Sequence, residues 1–243
     1  MQNNKVCVMI GGRDIIYSPL AREMANSGYV TAIIDTDMER AQRIADEICT
    51  FGGLAKAYYA EASDKDALEA VRSSVVAEFG GCHVLINNAG LCLENVNKYD
   101  QIVNSSSVDF TQILVPAQVF GAKLKDTVGG AILNLCPIKI GSDNGFADRL
   151  ENLTRKMAVN LCEVGIRVNT VIYGHTVSGI RQDDAGDERI NEIPMQRAAK
   201  PREIIGAVKF LTDAASSSYI TGEIIHLDGG YAAKRSIQPV SEE

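Results

Sequence analysis

The sequence predicts an α/β fold: a single doubly wound sheet of seven mostly parallel strands flanked by helices. Three observations lead there. Short apolar runs recur along the 243-residue chain, and they are near-continuous rather than alternating, as strands covered on both faces must be. Between them lie segments whose apolar residues return at helical spacing. The length suits one domain with one core.

Each element follows from its residues. Lys5 to Ile10 reads Lys-Val-Cys-Val-Met-Ile, a buried strand, and an amphipathic helix runs from about Leu20 to Ser27. Tyr29 to Asp35 is the second strand. Met38 to Thr50 carries Ala41, Ile44, Ala45 and Ile48 on one helical face. Ala55 to Tyr59 is a third strand, Asp64 to Phe79 a helix, and Val84 to Asn88 a fourth strand. Long helices are expected over Phe110 to Lys125 and Ala147 to Glu163, and another over Ile204 to Leu211. Gly130 to Leu135, Arg167 to Ile172 and Glu223 to Leu227 complete the sheet. Strands of this kind, joined by right-handed helical crossovers, make a Rossmann-type sheet. The domain is expected to span residues 1–233, with a polar tail over 234–243.

Composition excludes several classes. Hydrophobic residues make up 46% and charged residues 23%, ordinary for a packed domain and unlike a disordered chain. A net charge of -7 argues against a nucleic-acid partner, because phosphate binding needs a basic face. No apolar stretch is long enough for a membrane span. The opening Met-Gln-Asn-Asn-Lys enters a strand at once, with no room for a leader. The six cysteines form no Cys-x-x-Cys pair, against structural zinc or a redox motif. Most are flanked by apolar residues and read as small buried hydrophobes in a reducing cytoplasm.

Four segments resemble the short-chain dehydrogenase/reductase family. They are Asn87-Asn-Ala-Gly90, Gly165-Ile-Arg-Val-Asn169, Pro201-Arg-Glu-Ile-Ile205 with Val208-Lys-Phe-Leu211, and Ile220 to Tyr231. The resemblance covers nearly the whole chain. It implies nicotinamide-dependent alcohol or ketone chemistry and usually a homotetramer.

The cofactor residues match this resemblance only in part. A pyrophosphate needs a glycine turn and the N-terminus of the next helix. The family's loop has its second and third glycines four and six residues after the first. Here Gly11 holds the first place, Ile15 the second and Tyr17 the third, and Asp14 adds a charge that repels phosphate. Asp35 ends the second strand where the family's ribose carboxylate sits. Alone it would favour NAD over NADP; otherwise it serves the turn or caps the next helix. Glu61 replaces the adenine-contacting Asp, and Asn87, Asn88, Ala89 and Gly90 are intact.

The catalytic residues fail to match. The family's base is a Tyr with a Lys four residues later, helped by a Ser and an Asn. None of the eight Tyr has a Lys at that spacing. The nearest mimic, Tyr231 with Arg235, follows the last strand. Local alignment puts Asp143 at the Tyr place, Ala147 at the Lys place, Pro137 (after Cys136) at the Ser place and Ser106 at the Asn place. The segment between the fifth strand and the fifth helix is also shorter than the family's. Haloalcohol dehalogenases, which resemble the same family without its cofactor, keep Ser, Tyr and Arg; this chain keeps neither Tyr nor Arg at that place.

The expectation is a non-catalytic subunit with no catalytic, cofactor-binding or metal residues of its own. It binds no cofactor, and NAD is expected in an active short-chain dehydrogenase paralogue with which it forms a hetero-oligomer, a heterotetramer. Neither nucleic acid nor membrane is a partner, and the setting is cytoplasmic. The family's two tetramer surfaces would map to the fourth and fifth long helices and to the last helix and strand. On the fifth, Leu150, Leu153, Met157, Ala158 and Leu161 form an apolar stripe divided between core and neighbouring subunit. The alternatives are an enzyme rebuilt around Tyr173, His175, Cys136 or Asp143, or a metabolite sensor using the old cofactor cleft.

Overall fold

A computed structural model describes residues 5–11, 15–88, 110–124, 126, 129–137, 145–177 and 188–237. Among these, the elements in order are β1 (Lys5–Ile10), α1 (Tyr17–Asn26), β2 (Tyr29–Asp35), α2 (Met38–Thr50), β3 (Ala55–Tyr59), α3 (Lys65–Phe79), β4 (Val84–Asn88) and α4 (Thr111–Leu124). Then come β5 (Ala131–Pro137), α5 (Gly145–Cys162), β6 (Arg167–Tyr173), α6 (Glu188–Asn191), α7 (Pro201–Thr212), α8 (Ala214–Ser217), β7 (Ile224–Leu227) and α9 (Tyr231–Ser236). The seven strands form one sheet in the order β3-β2-β1-β4-β5-β6-β7, with every neighbouring pair parallel. The order reverses direction between β1 and β4, and that switch point is where such sheets bind ligands.

Alternation along the strands divides the core. Val6, Val8 and Ile10 face a layer shared with α3, α4 and α5, while Cys7 and Met9 face one shared with α1, α2 and α7. Helix starts follow their caps. Asp37 accepts from the Arg40 backbone N–H and Asp64 from that of Ala67, each satisfying an otherwise orphan donor. Helix α1 starts three residues before the expected Leu20. Ile16, and Tyr17 at the family's third glycine place, extend the buried face of Leu20, Ala21 and Met24.

Of the α5 stripe, Leu150, Met157 and Ala158 are buried, and Leu153 and Leu161 are half-buried against the same layer. Two expectations change. Cys7, Cys82 and Cys136 are buried as expected, but Cys49 and Cys162 are exposed near the ends of α2 and α5. Helix α9 runs to Ser236, so the tail's first residues, Lys234 to Ser236, are helical. No helix among the described residues is long and apolar enough to cross a membrane. No group of His, Cys, Asp or Glu among them could hold a metal ion.

Candidate functional site

A directed chain of hydrogen bonds ties the middle of the sheet together. Asn87 Nδ2 donates to Asn134 Oδ1 at 3.1 Å, and Asn134 Nδ2 donates to Thr170 Oγ1 at 3.4 Å. Thr154 Oγ1 donates to the Leu150 carbonyl at 2.8 Å, so the 2.6 Å contact between the two threonines has Thr170 as donor. These four side chains on β4, β5, β6 and α5 are buried. A buried network of this kind ties together the strands it crosses, although Asn87 Oδ1 takes no part in it. The part of the Asn-Asn-Ala-Gly motif that is described therefore holds the sheet; Ala89 and Gly90 lie outside the described residues.

The β1–α1 junction sits at the switch point. Gly11 takes φ +82°, and its N–H donates to the Ile34 carbonyl at 3.0 Å. Ile15 is partly exposed, whereas Ile16 and Tyr17 are sealed at 0% and 1% exposure. The Tyr17 hydroxyl reaches back over β1 and donates to the Met9 carbonyl at 2.9 Å. Burial, then the charge of Asp35 and of Cys7, holds the Tyr17 phenol well above its ordinary range, with Arg40 opposing.

Asp35, at 4% exposure, caps no helix. One carboxylate oxygen accepts the Asp37 N–H at 2.9 Å, which shapes the turn, and the other accepts Arg40 Nη2 at 2.7 Å. Arg40 is the functional-site residue that sequence reasoning missed. The available signal was a base five residues after a strand-ending acid, in the first turn of the next helix. Glu61, at the adenine position, is exposed.

At the nicotinamide end, Pro137 lies opposite Tyr173 and Cys136 opposite Ile172 in the β5–β6 register. Proline offers no side-chain donor for a substrate oxygen. Cys136 is buried, with its thiol directed at the Pro137 carbonyl. Tyr173 is 2% exposed, and its buried hydroxyl has no hydrogen-bond partner among the described residues. It lies in the apolar layer shared with Tyr17 and with Ile204 of α7. His175 uses its carbonyl to accept the Ala199 N–H at 2.8 Å, and the adjacent Gly174 approaches the Asp228 backbone so closely that a Cβ there would lie 3.0 Å from Asp228 Cα. Ala147, at the family's Lys place, packs against the α3–α4–α5 layer. Asp14, Tyr99, Ser106 and Asp143 lie outside the described residues. Tyr231 and Arg235 do meet, with Arg235 Nη1 donating to the Tyr231 hydroxyl at 3.0 Å, but they do so on α9 beyond β7.

A parallel sheet with this strand order, entered by a glycine turn at its switch point, defines a dinucleotide-binding class of fold. The family model described as short chain dehydrogenase matches residues 5–189, and one described as enoyl-(acyl carrier protein) reductase matches residues 148–232. The chain therefore belongs to the short-chain dehydrogenase/reductase family, a family of oxidoreductases. It is 29% identical to an uncharacterized oxidoreductase, UxuB, of Bacillus subtilis, over 94% of this chain and 95% of that one. It is 28% identical to cyclohexanol dehydrogenase of an Acinetobacter species, over 96% of both chains. A Haemophilus influenza protein, described as a D-mannonate oxidoreductase and solved with bound NAD, superimposes with a TM-score of 0.80 at 26% identity, over 96% of each chain.

The family implies a nicotinamide dinucleotide, and the junction residues do not match that group. Of three loop glycines only Gly11 is present, and both Asp35 oxygens already accept hydrogen bonds.

Proposed function

We propose that this chain is a non-catalytic member of its family that pairs with an active, NAD-dependent short-chain dehydrogenase and supports it. The observation that carries this reading is the β5–β6 pair at the nicotinamide end. Pro137 stands where the family's Ser would orient a substrate oxygen, and the phenol opposite it, Tyr173, is sealed without a partner among the described residues. A proton donor or base must reach the reacting atom, and neither of these side chains does. No Tyr in the sequence has a Lys four residues later, so the family's base is not displaced elsewhere.

The last strand supports that pairing. Among the described residues strand β7 ends the sheet, and Ile224, Ile225 and Leu227 remain only half-buried. Phe210 and Tyr219 are exposed on the preceding segments. An edge strand with free main-chain groups and apolar neighbours favours pairing with another chain.

The finer reading places NAD in the partner and the complex in the cytoplasm, as a heterotetramer. The reaction would be oxidation of a β-hydroxyacyl-CoA such as 2-(α-hydroxybenzyl)succinyl-CoA, in anaerobic toluene degradation. The dehydrogenase of that step pairs a degenerate with an active short-chain subunit, the pattern of losses found in this chain.

The test is co-expression with a short-chain dehydrogenase paralogue, followed by purification of the chain alone and of the complex. The complex should isolate at fixed stoichiometry and oxidise the thioester with NAD, while the isolated chain shows no turnover. Turnover by the isolated chain, or failure to co-purify with any such paralogue, overturns the reading.

A further inference from the structure

Three side chains converge at the carboxyl ends of β1 and β2. Tyr17 reaches Met9 across the end of β1. Asp35 closes β2, and Arg40 bridges to it from α2. Met9 and Ile33 are register partners on neighbouring strands, so the anchor of Tyr17 and the Asp35–Arg40 pair lie at adjacent strand ends.

Each member answers a need that a dinucleotide would otherwise meet. A ribose diol bound at Asp35 would compete for the carboxylate with a charge-assisted 2.7 Å bond from Arg40. Exchanging that guanidinium for neutral hydroxyls would break an ion pair whose carboxylate is nearly buried. A pyrophosphate needs backbone N–H groups at the first turn of α1. That turn carries Tyr17, whose ring is sealed there, and Pro19, which has no N–H to offer. Ile15 stands at the middle-glycine position and brings a β-branched side chain where backbone would meet phosphate.

We infer that Tyr17 and Arg40, with Ile15 at the entrance, occupy from within the chain the place a dinucleotide would take, closing the cleft with the protein's own side chains. This deepens the cofactor part of the subunit reading and rests on it.

The experiment is titration of NAD by calorimetry into the wild-type chain, Arg40→Ala, the pair Ile15→Gly/Tyr17→Gly, and the triple variant. Tyr17→Phe, which keeps the ring, serves as the control. The wild type and Tyr17→Phe should show no binding at millimolar NAD, and the triple variant should gain at least about tenfold in affinity. Should the triple variant fail to fold, Ile15→Gly with Arg40→Ala carries the test, since both positions are partly open; with the Tyr17 ring in place it should bind more tightly than wild type but gain less than the triple variant. Binding of NAD by the wild type at micromolar concentration overturns the inference, as does a folded opened variant no better than wild type. Co-purification is read separately. A stable complex with an NAD-binding wild-type chain would sink the closure alone, and a closed chain without a partner would sink the subunit reading alone.

Discussion

Two strand-to-helix junctions of this sheet use glycine for different ends. Where β7 passes into α9, Gly229 and Gly230 take φ +64° and +91°. A Cβ on Gly229 would lie 2.6 Å from Ile193 Cγ2. Asp228 closes the turn by accepting the Gly230 and Ala232 N–H groups at 2.9 and 2.8 Å. Where β1 passes into α1, only Gly11 of the family's three loop glycines remains, and the helix starts after Ile16 with no side-chain cap. The glycines after β7 answer to packing within this chain, and those missing after β1 would answer to a bound pyrophosphate. Retention of one set and loss of the other separates what the fold demands from what a cofactor demands.

The sharpest way to break this comparison is Gly229→Ala. Left-handed backbone costs a residue with a Cβ about 1–2 kcal/mol, and the collision with the buried Ile193 adds to it. A total loss of about 2–4 kcal/mol is expected in urea unfolding. Ile15→Gly at the other junction should change stability by no more than about 1 kcal/mol. Equal effects would erase the distinction.

Asn134→Ala tests the frame between the two junctions. It removes the acceptor for Asn87 and the donor to Thr170, leaving buried polar groups unpaired at a cost of about 2–3 kcal/mol. Asp228→Ala should cost less, about 1–2 kcal/mol, because it removes two acceptor bonds at a helix start. Hydrogen exchange should then show faster opening of α9, while α1 is unaffected. Loosening of α1 as well would mean that the two junctions are coupled.

What could be read from the sequence follows the same division. Elements governed by local pattern were legible: β1, β2, β3, β4 and α2 have the bounds their apolar residues prescribe. The start of α1 was not, because Tyr17 looks like damage to a glycine loop yet acts as a helix-face residue. The losses at Ile15, Tyr17 and Pro137 were visible as residue types. Their consequences were not, since those depend on long-range partners: Met9 for Tyr17, Arg40 for Asp35, and the register that sets Pro137 against Tyr173. The stripe on α5 showed an apolar face without saying what covers it; the chain's own layer buries Leu150, Met157 and Ala158 and leaves Leu153 and Leu161 half-buried. Cys49 and Cys162 misled because apolar flanks describe a neighbourhood, whereas exposure depends on which side of a helix the residue occupies.

The smallest expected effect comes from Tyr17→Phe, and its pH dependence makes it informative. The ring stays and one buried hydrogen bond to Met9 is lost, for about 1 kcal/mol near neutral pH. Burial and Asp35 raise the Tyr17 phenol, so the folded chain holds that proton more tightly than the unfolded chain does. The resulting stability is fully present below the unfolded phenol's value of about 10 and is lost as pH rises through the higher folded value. The Phe variant lacks this dependence. Tyr29 and Tyr58, whose phenols burial also raises, remain in both proteins and give a shared slope. Urea midpoints taken between about pH 8 and pH 11 should therefore fall more steeply for the wild type, and the two curves should converge. Parallel curves would mean that the Tyr17 phenol titrates freely, and a ring that titrates freely is not sealing the end of β1.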